Sequence, residues 1–289
     1  MKGIILAGGM GARLNPLTNA CSKQLLPIYD KPLIYYPLST LMNMGIREIL
    51  CITRADNLDA FSNLLGDGSQ WGISIEYTIQ DQPMGIAEAF IIGERFIGED
   101  SVTLILGDNI FYGSSITEDS QQEDTFLAGA RIFAYQVPDP ERYGVVDFSK
   151  DGKALSIQEK PLKPKSNYAV TGLYVYSNSV VEKAKSLKPS ARGELEISDI
   201  NQSFLEESKL EVSILDEGST WFDAGTPDSL MQASQFVQSI QKRQSTMIGS
   251  PEETAFKNKL INEEEFLTIV NGYSESNYRD RLRKIRNPS

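Results

Sequence analysis

The chain has 289 residues, of which 40% are hydrophobic and 23% charged, proportions typical of a globular protein with one large or two small domains. It contains no histidine, which excludes triads and acid–base catalysis built on histidine as well as histidine-ligated zinc. The formal net charge of −11 disfavours non-specific nucleic-acid binding, so a phosphate site would need a few cations in a defined pocket.

The compartment can be predicted from short apolar runs and cysteine usage. No apolar run reaches the roughly 18 residues that a membrane-spanning helix needs, so we expect no membrane partner. The run from Ile4 to Ala7 stops at glycines and is too short for a signal peptide. Cys21 and Cys51 lack the paired spacing of a disulfide framework, which favours a reducing, cytoplasmic location.

The first part of the chain alternates strand patterns with helix patterns. Strands are predicted at residues 2–7, 48–53, 73–79 and 102–106. Helices are predicted at residues 32–44, 58–65 and 86–96, although Gly93 interrupts the last pattern. This alternation predicts an α/β protein in which helices cover both faces of a mainly parallel sheet, giving three α/β/α layers.

The second part of the chain predicts a mixed continuation of this sheet and then helices. Two strand patterns flank the hairpin signal Asp151-Gly152. These and the later predicted strands lie at 143–148, 154–159, 169–176 and 210–215, and the helices lie at 180–187, 197–207, 229–244, 263–270 and 277–285. We expect the mixed region to add a pocket of sugar size.

A glycine-rich loop follows the first predicted strand directly. Gly8, Gly9 and Gly11 allow backbone N–H groups to approach a phosphate closely. The third glycine of the dinucleotide fingerprint is missing, and no Gly-Lys-Ser/Thr triplet of a Walker loop follows. Arg13 and, ten residues later, Lys23 supply two cations near this loop, a combination that suits a polyphosphate.

The amino-acid sequences around this loop and around Lys23 resemble those of a known family. GIILAGGMGARLNPLT and SKQLLPIYDKPLIYYPLSTLM resemble the opening of the sugar nucleotidylyltransferases, whose signature is G-x-G-T-R-L followed by a lysine in a K-P or K-Q-L-L-P segment. The SKQLLP and YDKP segments are most similar to the glucose-1-phosphate thymidylyltransferase branch. The resemblance covers nearly the whole chain through FIIGERFIG, LILGDNIFYG, YQVPDPERYGVV, SIQEKPLKPKSNYAVTGLY, KPSARGELEISDIN and WFDAGTPDSLMQASQFV.

Three positions depart from the family pattern without removing a charged group. Ala12 stands where the family has Thr, Ser114 where His is common, and Ala224 where Thr is common. The resemblance otherwise implies a Rossmann-like nucleotidyltransferase fold with a mixed, mostly parallel sheet. It also implies a core over residues 1–226, with a nucleotide-binding part at about 1–110 and a sugar-binding part at about 111–226, and a C-terminal helical region over 227–289.

The implied reaction transfers a thymidylyl group from dTTP to glucose 1-phosphate and gives dTDP-glucose and pyrophosphate. The attacking phosphate oxygen is already an anion, so a site without histidine suffices. Arg13, Lys23 and Asp108 are implied to be catalytic, and Asp108 and Asp223 to hold Mg²⁺, which prefers one or two carboxylates with water and phosphate oxygens.

The resemblance also implies the binding residues. The implied nucleotide contacts are Leu6, Gly8, Gly9, Gly11, Arg13, Gln24, Gln80, Pro83, Gly85 and Asp108. The implied sugar-phosphate contacts are Tyr143, Gly144, Glu159, Lys160, Val170 and Arg192. A glutamine such as Gln80 offers the donor and the acceptor that the N3–H and O4 edge of a pyrimidine requires.

Residue types alone leave the substrates open. One methyl group separates thymine from uracil and discriminates by only about 1–3 kcal/mol in a pocket. A UTP-dependent enzyme, or one that uses another sugar phosphate, is therefore an alternative, and a non-catalytic regulator that binds a nucleotide sugar is a second. The resemblance further implies a homotetramer, and a role in deoxysugar biosynthesis of the dTDP-rhamnose type.

Overall fold

The computed structural model describes residues 1–113, 129–244 and 246–285, so Ser114 lies outside the described residues. Its strands, numbered along the chain, are β1 (Lys2–Leu6), β2 (Pro27–Ile28), β3 (Lys31–Pro32), β4 (Glu48–Thr53), β5 (Ser74–Ile79), β6 (Val102–Leu106), β7 (Asn109–Tyr112), β8 (Ala130–Gln136), β9 (Gly144–Phe148), β10 (Ala154–Glu159), β11 (Tyr168–Tyr176), β12 (Leu210–Ile214) and β13 (Thr220–Asp223). Nine of these described strands form one sheet, and β2–β3 and β7–β13 form two small ones.

The large sheet is mixed and mostly parallel, as predicted. β1 lies between β4 and β6 and runs parallel to both, and β5 extends this parallel part beyond β4. β11 runs antiparallel to β6, β8 and β9, and β10 runs antiparallel to β9. Because β6, β8 and β9 are all antiparallel to β11, these three strands share one direction, and β12 shares it through its parallel pairing with β8. Among the strands described for this sheet, only β10 and β11 run the opposite way.

Helices cover both faces of the sheet. They are α1 (Tyr35–Asn43), α2 (Leu58–Leu65), α3 (Glu88–Ile92), α4 (Glu94–Ile97), α5 (Val180–Ser186), α6 (Ile197–Glu206), α7 (Pro227–Gln244), α8 (Pro251–Lys257), α9 (Glu263–Gly272) and α10 (Asn277–Leu282). Ile4 and Ile5 point to opposite faces of β1, as neighbours in a strand do. Ile4 joins a core with α3, α5 and α6, and Ile5 joins one with α1, α8 and α9, which confirms the three-layer prediction.

From Pro227 onward the described elements are helices, and they pack on the rest of the chain. α7 covers the β7–β13 pair through Ala233 and Val237, which share a buried cluster with Ile110. Gln241 of α7 accepts a hydrogen bond of 3.1 Å from the buried Lys31 ammonium. None of the helices in the described ranges has the length and apolar character needed to cross a membrane.

Several elements differ from the sequence-based predictions. The predicted helix 86–96 is divided at Gly93, where an added Cβ would lie 2.9 Å from the Ala89 carbonyl oxygen. The predicted helix 32–44 begins only at Tyr35, because Lys31–Pro32 pairs as a strand. Strands β2, β3, β7, β8 and β13 and helix α8 were not predicted, whereas the Asp-Gly hairpin between β9 and β10 is confirmed.

Candidate active site

A cavity of about 490 Å³ lies beyond the carboxyl ends of β1 and β6, where open parallel sheets bind ligands. The predicted site residues that line it are Leu6, Gly9, Arg13, Lys23, Gln24, Asp108, Tyr143, Gly144, Glu159, Lys160, Val170 and Asp223. Residues from sequence positions 6 to 223 therefore meet in one cleft. The structure brings most of the predicted nucleotide, sugar and metal residues together.

The glycine-rich loop turns sharply into this cleft. Gly11 has a φ of 63°, a left-handed conformation that glycine adopts without penalty, and it opens a short 3₁₀ turn at Ala12–Leu14. A Cβ placed on Gly9 would lie 3.8 Å from the Lys23 ammonium nitrogen. The loop backbone and the lysine thus face the same space, as a polyphosphate site requires.

Lys23 forms a short ion pair with Asp108. Asp108 lies in the turn between β6 and β7, is only 6% exposed, and accepts a hydrogen bond of 3.1 Å from the Asn109 amide. Burial would raise the pKa of Asp108, but the charge and hydrogen bond of Lys23, together with the Asn109 bond, outweigh it and lower this pKa. Asp108 is therefore a buried carboxylate that stays ionised at neutral pH.

Asp223 reaches the same place from the end of β13. Strand pairing sets it opposite Asn109, and the Ala224 N–H donates a hydrogen bond of 2.9 Å to the Asp108 carbonyl oxygen. Burial and repulsion by Asp108 raise the pKa of Asp223 to about 6. The nearest charged partner of Asp223 is Arg13, whose guanidinium lies 3.9 Å away and is 58% exposed.

This pair of carboxylates suits a divalent cation. Asp108 and Asp223 repel each other, and this repulsion contributes to the raised pKa of Asp223. A cation bound between them would offset the repulsion. The described residues contain no cluster of three or more histidine, cysteine or acidic side chains that could hold a metal. Two carboxylates are what Mg²⁺ commonly takes from a protein when phosphate and water complete its shell.

The sugar side of the cleft is built around Glu159, the last residue of β10. Its carboxylate accepts hydrogen bonds from the Ser198 hydroxyl at 2.5 Å and from the Arg192 guanidinium at 3.3 Å. Gly144 stands opposite Glu159 in the β9–β10 pairing, and its missing side chain leaves the carboxylate accessible. Arg192 is held in turn by Glu196 at 2.7 Å.

Two backbone irregularities shape this side. Lys160 has a φ of 41°, a left-handed conformation that costs a non-glycine residue on the order of 1–3 kcal/mol. Its N–H donates a hydrogen bond of 3.0 Å to the Tyr143 carbonyl oxygen, which holds this conformation at the cleft. In β11 the register shifts between Val170 and Tyr174, and the Gly172 N–H donates instead to Asn109 Oδ1 at 3.0 Å.

Six of the predicted site residues do not line the cavity. They are Gly8, Gly11, Gln80, Pro83, Gly85 and Arg192. Gln80 covers Gly8, where any side chain would collide with the glutamine oxygen. Gly85 has a φ of 109° and packs against the Leu195 carbonyl, and Pro83 is exposed in the same loop.

Comparison with known proteins places the chain in a family. A family model described as nucleotidyl transferase matches residues 2–240. The chain belongs to the nucleotidyl transferase family. A glucose-1-phosphate thymidylyltransferase of Neisseria meningitidis serogroup A is 54% identical over 285 residues, 99% of each chain. One of the same name from Mycobacterium tuberculosis is 50% identical, also over 99% of each chain.

Two solved structures share the fold of this chain. A Bacillus anthracis protein named for the same activity, solved with sucrose, gives a TM-score of 0.77 at 42% identity and covers 82% of this chain and 94% of its own. A UDP-glucose pyrophosphorylase with bound UDP-glucose gives a TM-score of 0.73 at 22% identity, over 84% of this chain and 99% of that one, and shows likeness of fold alone.

Several residues of this nucleotidyl transferase site were missed by the sequence analysis. Asn109 Oδ1 accepts hydrogen bonds from Gly172 and, at 2.6 Å, from the Trp221 indole, so one amide joins three strands at Asp108. Arg142 also lines the cleft, lies 5.3 Å from the Tyr143 ring centroid and pairs with Asp139 at 2.6 Å. Their only sequence signal is adjacency to predicted site residues.

Charge in the cleft differs from charge in the whole chain. Four cations among the described lining residues face three carboxylates; the cations are Arg13, Lys23, Arg142 and Lys160, and the carboxylates are Asp108, Glu159 and Asp223. The chain as a whole carries −11. The cleft therefore has a local excess of cations in an acidic chain, the arrangement that the sequence analysis expected of a phosphate site.

Proposed function

We infer that this chain is a glucose-1-phosphate thymidylyltransferase, which converts dTTP and α-D-glucose 1-phosphate into dTDP-glucose and pyrophosphate. The observation that carries this inference is identity of 54% and 50%, over 99% of the chain, with two proteins of that name. The chain keeps the charged residues expected of such an enzyme, and all of them except Arg192 line one cleft.

This reaction depends on positioning of the two substrates and on electrostatic stabilisation more than on proton transfer. An anionic phosphate oxygen of the sugar phosphate forms a bond to the α-phosphorus of dTTP. The bond from that phosphorus to the oxygen bridging to the β-phosphate breaks, and pyrophosphate leaves with the electron pair. No proton has to be abstracted from the nucleophile, so the cleft must mainly overcome repulsion between two anions.

Arg13 and Lys23 are proposed to act on the triphosphate. The exposed Arg13 guanidinium can bind phosphate oxygens through two parallel hydrogen bonds, while the loop N–H groups around Gly9 bind others. Lys23 is proposed to offset the charge that grows on the transferring and leaving oxygens. Its ammonium already faces Gly9 and is held there by Asp108, so little reorganisation is needed.

Asp108 and Asp223 are proposed to hold Mg²⁺. The ion, when bound, would neutralise phosphate charge and act as a Lewis acid at the transferring group. Asp108 remains ionised beside Lys23, and the β7–β13 pairing brings Asp223 to it. The fit therefore rests on carboxylates that the fold fixes in place.

Glucose 1-phosphate is proposed to occupy the side formed by β9, β10 and β11. Glu159 can accept hydrogen bonds from sugar hydroxyls, and Gly144 and Val170 offer backbone groups beside it. Lys160 is a cation for the sugar phosphate. Arg192 is bound to Glu159 and Glu196 and would join the phosphate by exchanging one of these partners.

The decisive test is a pyrophosphate-release assay with the purified protein, dTTP, glucose 1-phosphate and Mg²⁺. We expect turnover that needs all three components and yields dTDP-glucose on chromatography. Absence of product at saturating substrates, from protein that is folded by circular dichroism, would contradict the inference and favour a regulator that only binds nucleotide sugars.

The base and sugar preferences need a substrate panel. The fold is shared with a UDP-glucose pyrophosphorylase, so architecture alone does not separate dTTP from UTP. The identity to thymidylyltransferases, far above 22%, favours dTTP. Initial rates with dTTP, UTP, ATP and CTP, each against glucose, galactose and 2-acetamido sugar phosphates, should rank dTTP with glucose 1-phosphate first.

Assembly and biological setting are proposed from the family resemblance. We expect a homotetramer, which light scattering would detect as about four times the chain mass of 32.1 kDa. A mass near that of one chain would contradict it. We also expect a cytoplasmic protein that supplies dTDP-glucose to deoxysugar synthesis of the dTDP-rhamnose type, and both points stay predictions.

A further inference from the structure

Gln80 occupies a defined position beside the nucleotide cleft. It follows β5, and its N–H donates a hydrogen bond of 2.8 Å to the Thr53 carbonyl at the end of the neighbouring parallel strand. Its side chain is only 3% exposed, and its Oε1 lies against Gly8 in the loop that carries Gly9 into the cleft. The amide therefore faces the glycine-rich loop rather than solvent.

Glu88 decides which end of that amide faces the loop. The Gln80 Nε2 donates a hydrogen bond of 2.6 Å to Glu88 Oε2. A carboxylate only accepts hydrogen bonds, so the NH₂ group must point to Glu88 and the carbonyl oxygen must point to Gly8. The reversed amide would place two oxygens against each other in a largely buried setting.

Glu88 is itself fixed by the backbone around it. Its Oε2 also accepts a hydrogen bond of 3.2 Å from the Met84 N–H. Met84 is bonded to the segment that precedes α6, because its carbonyl oxygen accepts a hydrogen bond of 2.6 Å from the Leu195 N–H. The carboxylate thus has a set position at the start of α3 and does not line the cavity itself.

We propose that Glu88 is a positioning residue that makes the site select pyrimidines with an N3–H group and reject cytosine. The proposal rests on the inferred thymidylyltransferase function. With its oxygen held towards the loop, Gln80 can accept from N3–H of thymine or uracil, and the second N–H of Nε2 can donate to O4. Cytosine carries a lone pair at N3 and an amino group at C4, so both contacts become repulsive.

The test compares Glu88→Met with wild type in the complete assay. The quantity measured is the ratio of kcat/KM for dTTP to kcat/KM for dCTP. We expect a ratio of at least about a hundredfold in wild type and a fall of about tenfold or more in Glu88→Met, because the Gln80 amide can then rotate. The ratio for dTTP over dUTP should not change, since both bases present the same N3–H and O4 edge.

Two variants serve as controls. Glu88→Gln keeps an oxygen that can accept from both Met84 and Gln80, so it should retain most of the wild-type selectivity. Glu94→Met removes a neighbouring glutamate whose partner is Lys185 on the surface, and it should leave the ratio unchanged.

An unchanged dTTP-to-dCTP ratio in Glu88→Met would overturn the proposal, and so would an equal loss of activity with both nucleotides. If wild type shows no transfer from dTTP, the inferred function fails instead. Calorimetric binding of dTTP and dCTP to wild type and Glu88→Met then still tests the positioning role, because it needs no turnover. Equal discrimination by both proteins would refute it.

Discussion

Among single residues, Lys23 and Asp108 form an ion pair in which each member has a proposed role, Lys23 in charge stabilisation and Asp108 in metal binding. Lys23→Ala should lower kcat by about a hundredfold or more, because one preorganised charge in a transition state contributes roughly 3–4 kcal/mol. Pyrophosphate release measures this effect, and circular dichroism checks that the variant is folded. Lys165→Ala is the matched control, since Lys165 pairs with Asp147 at the surface.

A folded Lys23→Ala protein with nearly normal kcat would contradict the catalytic role. A loss confined to KM would instead place Lys23 in ground-state binding, because catalytic interactions strengthen in the transition state.

The two aspartates allow a separate prediction about the metal. Asp108→Asn and Asp223→Asn preserve shape while removing the charges that repel each other in this cleft. We expect both variants to lose Mg²⁺-dependent turnover, and a Mg²⁺ titration of activity measures it. Asp147→Asn, at a partly exposed ion pair with Lys165 that does not line the cleft, should behave as wild type. An unaltered Mg²⁺ titration in Asp108→Asn would show that Asp108 is not a ligand.

Reasoning from the sequence predicted many of the residues that line the cleft, but not the residues that hold them in place by hydrogen bonds. Gly9, Arg13 and Lys23 could be predicted because phosphate binding uses recognisable residue types in a short segment. Asn109 could not be, because its contacts with Gly172 and Trp221 exist only once distant strands meet. Glu88 likewise has no local signal, since an acidic residue at a helix start is ordinary.

At the scale of elements, the loop between β5 and α3 depends on Gly85. Its φ of 109° and its contact with the Leu195 carbonyl leave no room for a side chain. Gly85→Ala should therefore displace the loop, raise KM for dTTP and destabilise the fold by about 1–3 kcal/mol. Initial rates and chemical denaturation measure the two effects.

Gly152 provides the comparison for that substitution. It also has a positive φ, of 81°, but an added Cβ would meet nothing within 4 Å. Gly152→Ala should lose stability through backbone strain alone and keep KM for dTTP. Equal KM values in the two variants would show that the Gly85 loop does not contribute to nucleotide binding.

Elements with strong local periodicity were predictable and elements made by distant pairing were not. α2 and β4 lie where the sequence places them. β7 and β13 have four residues each and pair across more than a hundred residues, so neither carries a pattern of its own. Both border the cleft, and the missed elements therefore include the pair that aligns the two aspartates.

At the scale of the whole molecule, the C-terminal helices share the cores of the sheet. Ala255, Phe256 and Phe266 belong to the same buried cluster as Ile5 and Leu41. A chain ending at residue 226 would expose this surface and the face of β7–β13, so we expect it not to unfold cooperatively. Near-ultraviolet circular dichroism during denaturation checks this prediction.

Phe256→Ala is the milder companion experiment. Phe256 stacks on Phe266 with ring centroids 4.5 Å apart, and its truncation should cost about 3–5 kcal/mol while one transition remains. A truncated chain that unfolds as sharply as the full chain would mean that residues 227–289 form an appendage rather than part of the core.

The backbone bonds of Leu195 to Met84 and Ala87 have a consequence for how such a protein can change over generations. They fasten the loop that follows β5 to the segment that precedes α6 through backbone N–H and C=O groups, which every amino acid except proline can supply. Except at Gly85, where an added Cβ would meet the Leu195 carbonyl, side chains along this contact can be exchanged to admit another base or another sugar while these hydrogen bonds stay in place. The substrate preference of such a protein can therefore change while the backbone contacts that position its two phosphorylated substrates are kept.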